Sequence, residues 1–333
     1  MTSAGLRIIT DKSGWALDSA AQELNWTCGF LGLNAVQAKY PNVLSRSVPH
    51  YFMSPDLALR FGPFVEDYFL DFYHGLPHND SKYSLRLEKL SKLEARIRGI
   101  RVTHEETRQV LSQNGFSNKV VKIPIGVDLN KFGGVSDFQR EQLRADLGIP
   151  KDSFLVGSFQ KDGLGWGLGT EPKLEKGPDL LVDALVAVAE NLPNVHVLLA
   201  GPARGFVTRA LDKKGLKYTY AGVVSEMTLS KLYAILDVYL VSSRFEGGPR
   251  AILESLASGI PVVTTKVGQA SEILSDTIPQ LLSRGFRGDD LARVILDHVA
   301  GSEPQKFEEV AKRVAARYSL GALAPSWQEV LLQ

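Results

Sequence analysis

The sequence predicts an α/β fold built on parallel sheets, and three observations predict it. Short apolar runs alternate with helical stretches along most of the chain. Glycines cluster where those runs end, the position at which ligands bind in such sheets. The alternation also restarts at Phe154, so the 333 residues divide into two halves of ordinary domain size. With 44% hydrophobic and 23% charged residues, the chain can fill two cores.

Residues 6–10 read as the first strand, 11–14 as a loop and 15–24 as a helix with apolar spacing, the opening of a nucleotide-binding fold. Between 41 and 80 one clear apolar run, 68–73, reads as a strand that ends at His74-Gly75. Residues 81–98 show helical spacing, with Leu85, Leu90, Leu93 and Ile97 near one face and Arg86, Lys89, Lys92, Arg96 and Arg98 largely opposite. A short strand at 100–103 follows, then a helix at 105–113 stopped by Asn114-Gly115. Residues 120–132 pass from apolar to turn-like to polar and make a hinge. The second half opens with a strand at 154–159, a Gly-rich loop to Lys176-Gly177 and a helix at 178–190. Strands at 195–200 and 218–220, a helix at 228–236 and a strand at 238–241 continue the pattern, and 304–333 read as two helices.

Several function classes are disfavoured. A net charge of +1 argues against a dedicated nucleic-acid binder, and no run of 18 apolar residues suggests a membrane span. Residues 1–7 lack the apolar core of a secretory signal. The single cysteine, Cys28, cannot form an internal disulfide and reads as a small packed residue, so the cytoplasm is the expected location. No residue pattern resembles a metal cluster, and neither metal nor cofactor is expected.

The most informative stretch runs from Arg244 to Val263. Here Glu246 and Glu254 lie eight positions apart around Gly247-Gly248-Pro249, between two apolar runs. The pattern reads as strand, tight loop, helix, Gly259 stop and strand. A helix that opens near Arg250 aims unpaired N–H groups and a positive dipole end at the loop, which favours a phosphate. Pro249 has no N–H and cannot contribute.

This segment resembles the E-x7-E signature of family 4 glycosyltransferases, retaining sugar transferases of the GT-B fold. The resemblance implies two Rossmann-like domains with a central cleft. It extends over most of residues 118–280, and the first half, a weaker match, is short for such a domain. The implied domains are 1–128, reduced in size and on the acceptor side, and 129–314, which binds the nucleotide sugar; a last helix at about 315–333 crosses back. The Ile123-Pro124-Ile125-Gly126-Val127-Asp128 run is similar to the family's interdomain linker, with Ile125 in place of Asn.

By that resemblance Glu246 bonds hydroxyls of the donor sugar, Glu254 bonds the nucleotide ribose, and amides of Gly247, Gly248, Arg250 and Ala251 hold the diphosphate. The Gly-Gly-Pro-Arg sequence replaces a longer Gly-Phe-Gly-like one and leaves open which amides touch phosphate. Lys176 matches a Lys-Gly that grips the donor diphosphate, where a fixed cation stabilises charge on the leaving phosphate. Relatives carry an Arg after the strand glycine; here Gly157 is followed by Ser158-Phe159-Gln160-Lys161, and Lys161 either takes that role or is a surface lysine. His74 resembles a His beside the anomeric centre, or is a packed residue. Gly14 resembles a glycine of the first-domain loop, or is a turn glycine.

The implied activity is retaining, metal-independent transfer of a sugar from a nucleotide-diphosphate donor to a hydroxyl of a glycan, lipid-linked or small-molecule acceptor. Two alternatives stay open: a non-catalytic nucleotide-sugar-binding or scaffold module, and a nucleotide-sugar epimerase of the same fold. The helix expected over 84–101 carries six Lys or Arg against Glu88 and Glu94, so it is either a solvated face or a peripheral contact with anionic lipid.

Overall fold

The computed structural model describes residues 5–12, 16–44, 48–72, 83–301 and 304–332. The chain forms two compact units, residues 1–125 with 320–333 and residues 126–319.

The first unit contains β1 (Leu6–Ile9), α1 (Ala16–Phe30), β2 (Ala35–Ala38), β3 (His50–Phe52), α2 (Pro55–Phe61), β4 (Tyr68–Asp71), α3 (Tyr83–Ser91), β5 (Ile97–Val102), α4 (Glu105–Leu111) and β6 (Val120–Lys122). Its sheet runs β2-β1-β3-β4-β5-β6 with every neighbouring pair parallel. Ile8, Ile9, Tyr51, Phe52, Leu70 and Ile100 are fully buried, because a parallel sheet is covered on both faces. Ser54 caps α2, its hydroxyl accepting from the Leu57 amide at 3.3 Å, and Pro55 supplies the first helical residue. Asn114-Gly115 ends the α4 segment as expected, with Gly115 at φ +93°.

The helix expected over 81–98 is shorter than its spacing suggests. It stops at Ser91, a single turn at Glu94–Arg96 follows, and β5 starts at Ile97. Leu87 and Leu90 form its buried face, whereas Leu85 is half exposed. Gly99 belongs to the sheet, where a Cβ would come within 3.1 Å of the Phe69 ring. The basic helix over 84–101 is therefore not formed, and its cations point to separate partners. Arg86 pairs with Asp56 at 3.2 Å, Arg98 with Asp67 at 2.5 Å, and Arg96 donates to the Val65 carbonyl. Arg101 is buried against Asp71 at 3.1 Å and donates to the carbonyls of Ile123 and Pro124.

The second unit contains α5 (Asp137–Asp146), β7 (Phe154–Ser158), α6 (Pro178–Asn191), β8 (Val195–Leu199), α7 (Gly205–Lys214), β9 (Tyr218–Tyr220), α8 (Glu226–Ala234), β10 (Val238–Val241), α9 (Arg250–Ala257), β11 (Val262–Thr264), α10 (Ala270–Leu274), α11 (Gly288–Gly301) and α12 (Pro304–Arg317). Its sheet runs β11-β10-β7-β8-β9, again parallel throughout. The strand order reverses between β7 and β10, the place at the carboxyl edge where ligands bind in such sheets. Helix α5, which the sequence reading did not find, opens with a reciprocal cap between Ser136 and Gln139. The last helix, α13 (Leu320–Leu331), belongs to the first unit, where Trp327 packs on Tyr51 with ring centroids 5.9 Å apart and lies against the Arg101 guanidinium.

Candidate functional site

Lys176 and Glu246 meet where the loops after β7 and β10 converge. The Lys176 ammonium donates to Glu246 Oε1 at 2.5 Å, and the Ser243 hydroxyl donates to the same oxygen at 2.9 Å. The Lys176 backbone is fixed as well. Its carbonyl accepts from Gln160 Nε2 at 3.0 Å and from Ser242 Oγ at 3.2 Å. Gly177 sits at φ +60°, and a Cβ there would lie 2.0 Å from the Ser242 carbonyl, so only glycine lets this turn approach the end of β10. Gly268 does the same on the other side, against the carbonyls of Glu246 and Gly247.

Arg244 locks the loop onto the first turn of α6. Its two terminal nitrogens donate to the two Asp179 oxygens at 2.8 and 2.5 Å, and the amides of Arg244 and Phe245 donate to the Glu175 carbonyl. The bonds from Arg244 hold the Asp179 carboxyl below the usual carboxylate range.

Glu254 lies one turn inside α9 and is buried. It accepts from the Tyr233 hydroxyl at 2.9 Å, and its other oxygen is 3.6 Å from Arg250 Nε. Tyr233 packs edge-on to Phe159 and tilted on Tyr239, with centroids 4.9 Å apart in both cases. Burial, and then the neighbouring Glu254, push the Tyr233 hydroxyl well above its ordinary value, which keeps it a proton donor. Pro249 stands at the α9 cap position with no side-chain cap, and among the described residues the amides of Gly248 and Ala251 have no backbone acceptor.

Lys176 thus reaches Glu246 directly, and Gly247, Gly248, Arg250, Ala251 and Glu254 follow Glu246 along the same loop and the first turns of α9. Lys161 is turned elsewhere: its ammonium lies 3.7 Å from the centroid of the Trp166 ring, and burial followed by Lys173 lowers its pKa. Gln160 is the residue that reaches Lys176. Gly14 and His74 lie outside the described residues. The sequence reading missed Gln160, Ser243, Tyr233 and the Arg244–Asp179 clamp. Ser243 carried a signal, since it lies two residues past an apolar strand and three before Glu246.

The arrangement joins a cation, two carboxylates, hydroxyls and a helix N-terminus at the reversal of a parallel sheet. That set suits an anionic, polyhydroxylated ligand. Among the described residues no group of three or more His, Cys, Asp or Glu is placed to hold a metal, and no helix is long and apolar enough to cross a membrane.

Over 98% of both chains, the structure matches that of Anabaena Alr3699/HepE in complex with UDP and glucose, with a TM-score of 0.78 at 17% identity. The fold is GT-B. Residues 172–314, which hold Lys176, Glu246 and Glu254, match the family model of glycosyl transferases group 1. The D-inositol 3-phosphate glycosyltransferase of Mycobacterium tuberculosis is 29% identical over 231 residues, 65% of this chain and 44% of that protein. The lipopolysaccharide core biosynthesis mannosyltransferase LpsB of Rhizobium meliloti is 27% identical over 157 residues, 45% of this chain and 41% of that protein. The chain spans about half, or less, of the length of the curated relatives it matches. In this GT-B chain Lys176, Glu246 and Glu254 lie within the second unit and the matched span, and Gln160 lies in the same unit ahead of that span.

Proposed function

We propose that this chain is a family 4 glycosyltransferase that moves a sugar, with retention, from a nucleotide-diphosphate sugar to a hydroxyl of a glycan, lipid-linked or small-molecule acceptor. One observation carries the reading: Lys176 and Ser243 converge on Glu246 at the β7–β10 reversal, beside the opening of α9 and the Glu246-x7-Glu254 spacing.

Cleavage of a sugar–diphosphate bond leaves growing negative charge on the phosphate. Lys176 provides a fixed cation there, so the chemistry is proposed to run without a metal. The amides of Gly248, just ahead of α9, and of Ala251, in its first turn, are proposed to add donors to the same phosphate. When the diphosphate takes the Lys176 ammonium, Glu246 is released to accept from sugar hydroxyls, with Ser243 still holding one oxygen. Glu254, steadied by Tyr233, receives the ribose hydroxyls. Retention follows if the leaving phosphate takes the acceptor proton on the face it departs from. On the resemblance alone, Gly14 and His74 are proposed as further donor contacts, and the cytoplasm is the proposed location.

A thermal-shift panel with UDP, GDP, ADP and CMP tests donor binding, since a ligand at about a hundred times its dissociation constant stabilises by about 2.7 kcal/mol. A shift with one nucleotide fixes the base. Product release from the matching nucleotide sugars, dependent on an acceptor and on Lys176, then establishes transfer. Interconversion of the sugar without an acceptor would instead mark an epimerase, and binding without turnover a non-catalytic module.

A further inference from the structure

Between β7 and Lys176 the chain makes an excursion whose sequence is Gly163-Leu164-Gly165-Trp166-Gly167-Leu168-Gly169. Its three large side chains are solvent-facing, with Leu164 45%, Trp166 63% and Leu168 77% exposed. No side chain from Gly163 to Gly169 carries a polar group other than the indole N–H.

The excursion is held firmly. Leu164 donates to Glu171 and Lys173 to Asp162 across its base, closed by a bridge between Gly163 and Pro172. The first amides of α7 cap it, Gly205 donating to Leu168 and Phe206 to Gly169. Beneath it lies an ion pair with both side chains fully buried, Arg204 to Asp162 at 3.2 Å, and Arg204 also donates to the carbonyls of Ser158 and Gln160. Gly163 and Gly169 press on Ala203, where either Cβ would come within about 2.3 Å of its carbonyl oxygen. Two glycines and a buried ion pair therefore hold a rigid base under an apolar tip.

We infer that this hairpin is a membrane anchor whose Leu164, Trp166 and Leu168 tip enters the interfacial layer of a lipid bilayer. The chemistry along the hairpin matches the depth profile of a bilayer. Leucine and tryptophan lie toward the tip, Glu171 and Lys173 lie at the base, and Lys161 reaches up from the base so that its ammonium rests against the Trp166 ring, at the level where headgroups would meet both. A soluble saccharide fits worse, because the Lys161 ammonium already covers one face of the Trp166 ring on which a sugar would stack, and the flanking Leu164 and Leu168 offer no hydrogen-bond partner. A protein partner fits worse too, since three side chains fall far short of the roughly 800 Å² that each side of a stable interface buries. The hairpin leaves the carboxyl edge of β7, so a bilayer bound there stands beside the edge that carries Lys176. A lipid-linked hydroxyl acceptor is then the acceptor class this chain can reach.

Bilayer binding is measured without donor or acceptor, so its outcome is independent of the transferase reading. The full chain is sedimented with phosphatidylcholine vesicles, alone and mixed with phosphatidylglycerol. Co-sedimentation with both is expected, with a blue shift of tryptophan emission. The Trp166→Ser/Leu168→Ser variant should lose binding by a factor on the order of ten or more while keeping a wild-type melting curve. Trp26→Ser, which removes another exposed tryptophan, should bind as the parent does. Three results overturn the inference: no co-sedimentation, co-sedimentation unaltered by the double substitution, or a solution dimer that the double substitution abolishes in a chain that ignores vesicles. Binding confined to phosphatidylglycerol vesicles, lost in salt and kept by the variant, belongs to the second case and assigns the contact to surface cations.

Discussion

Lys176 Nζ lies 2.5 Å from Glu246 Oε1, although the two residues are 70 positions apart in sequence. Both side chains are partly solvated, at 25% and 12% exposed, so the pair adds little to stability. Its position explains it better, because it holds a phosphate-seeking cation and a sugar-seeking carboxylate ready at one spot. Lys176→Met is expected to lower kcat/KM on the order of a hundredfold to a thousandfold, as loss of a charge-stabilising donor does. The melting midpoint should move by only a few degrees. Initial rates and a thermal melt on the same preparation check this. A large fall in midpoint with intact rates would make the pair structural.

The Tyr233–Glu254 hydrogen bond separates binding from folding. The sequence alone suggests that Glu254→Ala costs affinity and little stability, but the carboxylate is buried and accepts from a fully buried hydroxyl. Glu254→Ala is expected to cost about 1–3 kcal/mol by taking the carboxylate acceptor away from that buried hydroxyl. Tyr233→Phe should cost about 1 kcal/mol. Nucleotide affinity should fall in Glu254→Ala and hold in Tyr233→Phe. Urea melts and a nucleotide titration on both variants decide the matter, and an equal loss of affinity in the two would remove Glu254 from the ribose.

The second unit was legible in the sequence because its strands are mainly apolar runs with Gly or Ser at or just past their ends, as in β7, β8 and β10. The first unit was less so. Strand β2 is a partly exposed edge of four residues, and β3 has three residues and opens on a histidine. The Ser54-Pro55 cap announced α2 and was passed over. Residues 81–98 misled because Leu90, Leu93 and Ile97 keep helical spacing across the turn that joins α3 to β5. At the site, the Glu246–Glu254 segment is local and could be read. Gln160 could not, because its bonds to Lys176 and Ser242 depend on β7 lying next to β10, and strand order is not written in any one segment.

The buried Arg204–Asp162 pair predicts a strongly asymmetric response. Arg204→Met leaves Asp162 alone in a dry environment, where burial already raises its pKa, and removes the donor to Ser158 and Gln160. A loss of about 3–5 kcal/mol is expected. Transfer should fall as well, since Gln160 positions the Lys176 carbonyl. The Arg204→Met/Asp162→Leu double variant should regain part of the stability, because an apolar pair carries no desolvation penalty. Urea midpoints of the parent, of Arg204→Met and Asp162→Leu singly, and of the double variant give the coupling, and additive losses would mean that the two charges do not stabilise each other.

Cys28 provides the pH dependence. Burial in the first-unit core lifts its thiol from 9.0 to about 11. The folded value lies above the unfolded one, so the unfolded chain loses its proton first as pH rises. The stability this group contributes is therefore whole below pH 9.0 and is lost as pH climbs toward about 11. In that window the slope should approach about 1.4 kcal/mol per pH unit. The hydroxyls of Tyr68 and Tyr239, both pushed by burial to about 12, extend the loss at higher pH. Cys28→Ala should be less stable at neutral pH, through the small cavity it leaves, and should show a flatter decline just above pH 9.0. Urea midpoints across that range, for parent and variant, test the assignment, and identical slopes would show that the thiol stays protonated in both states or ionises in both alike.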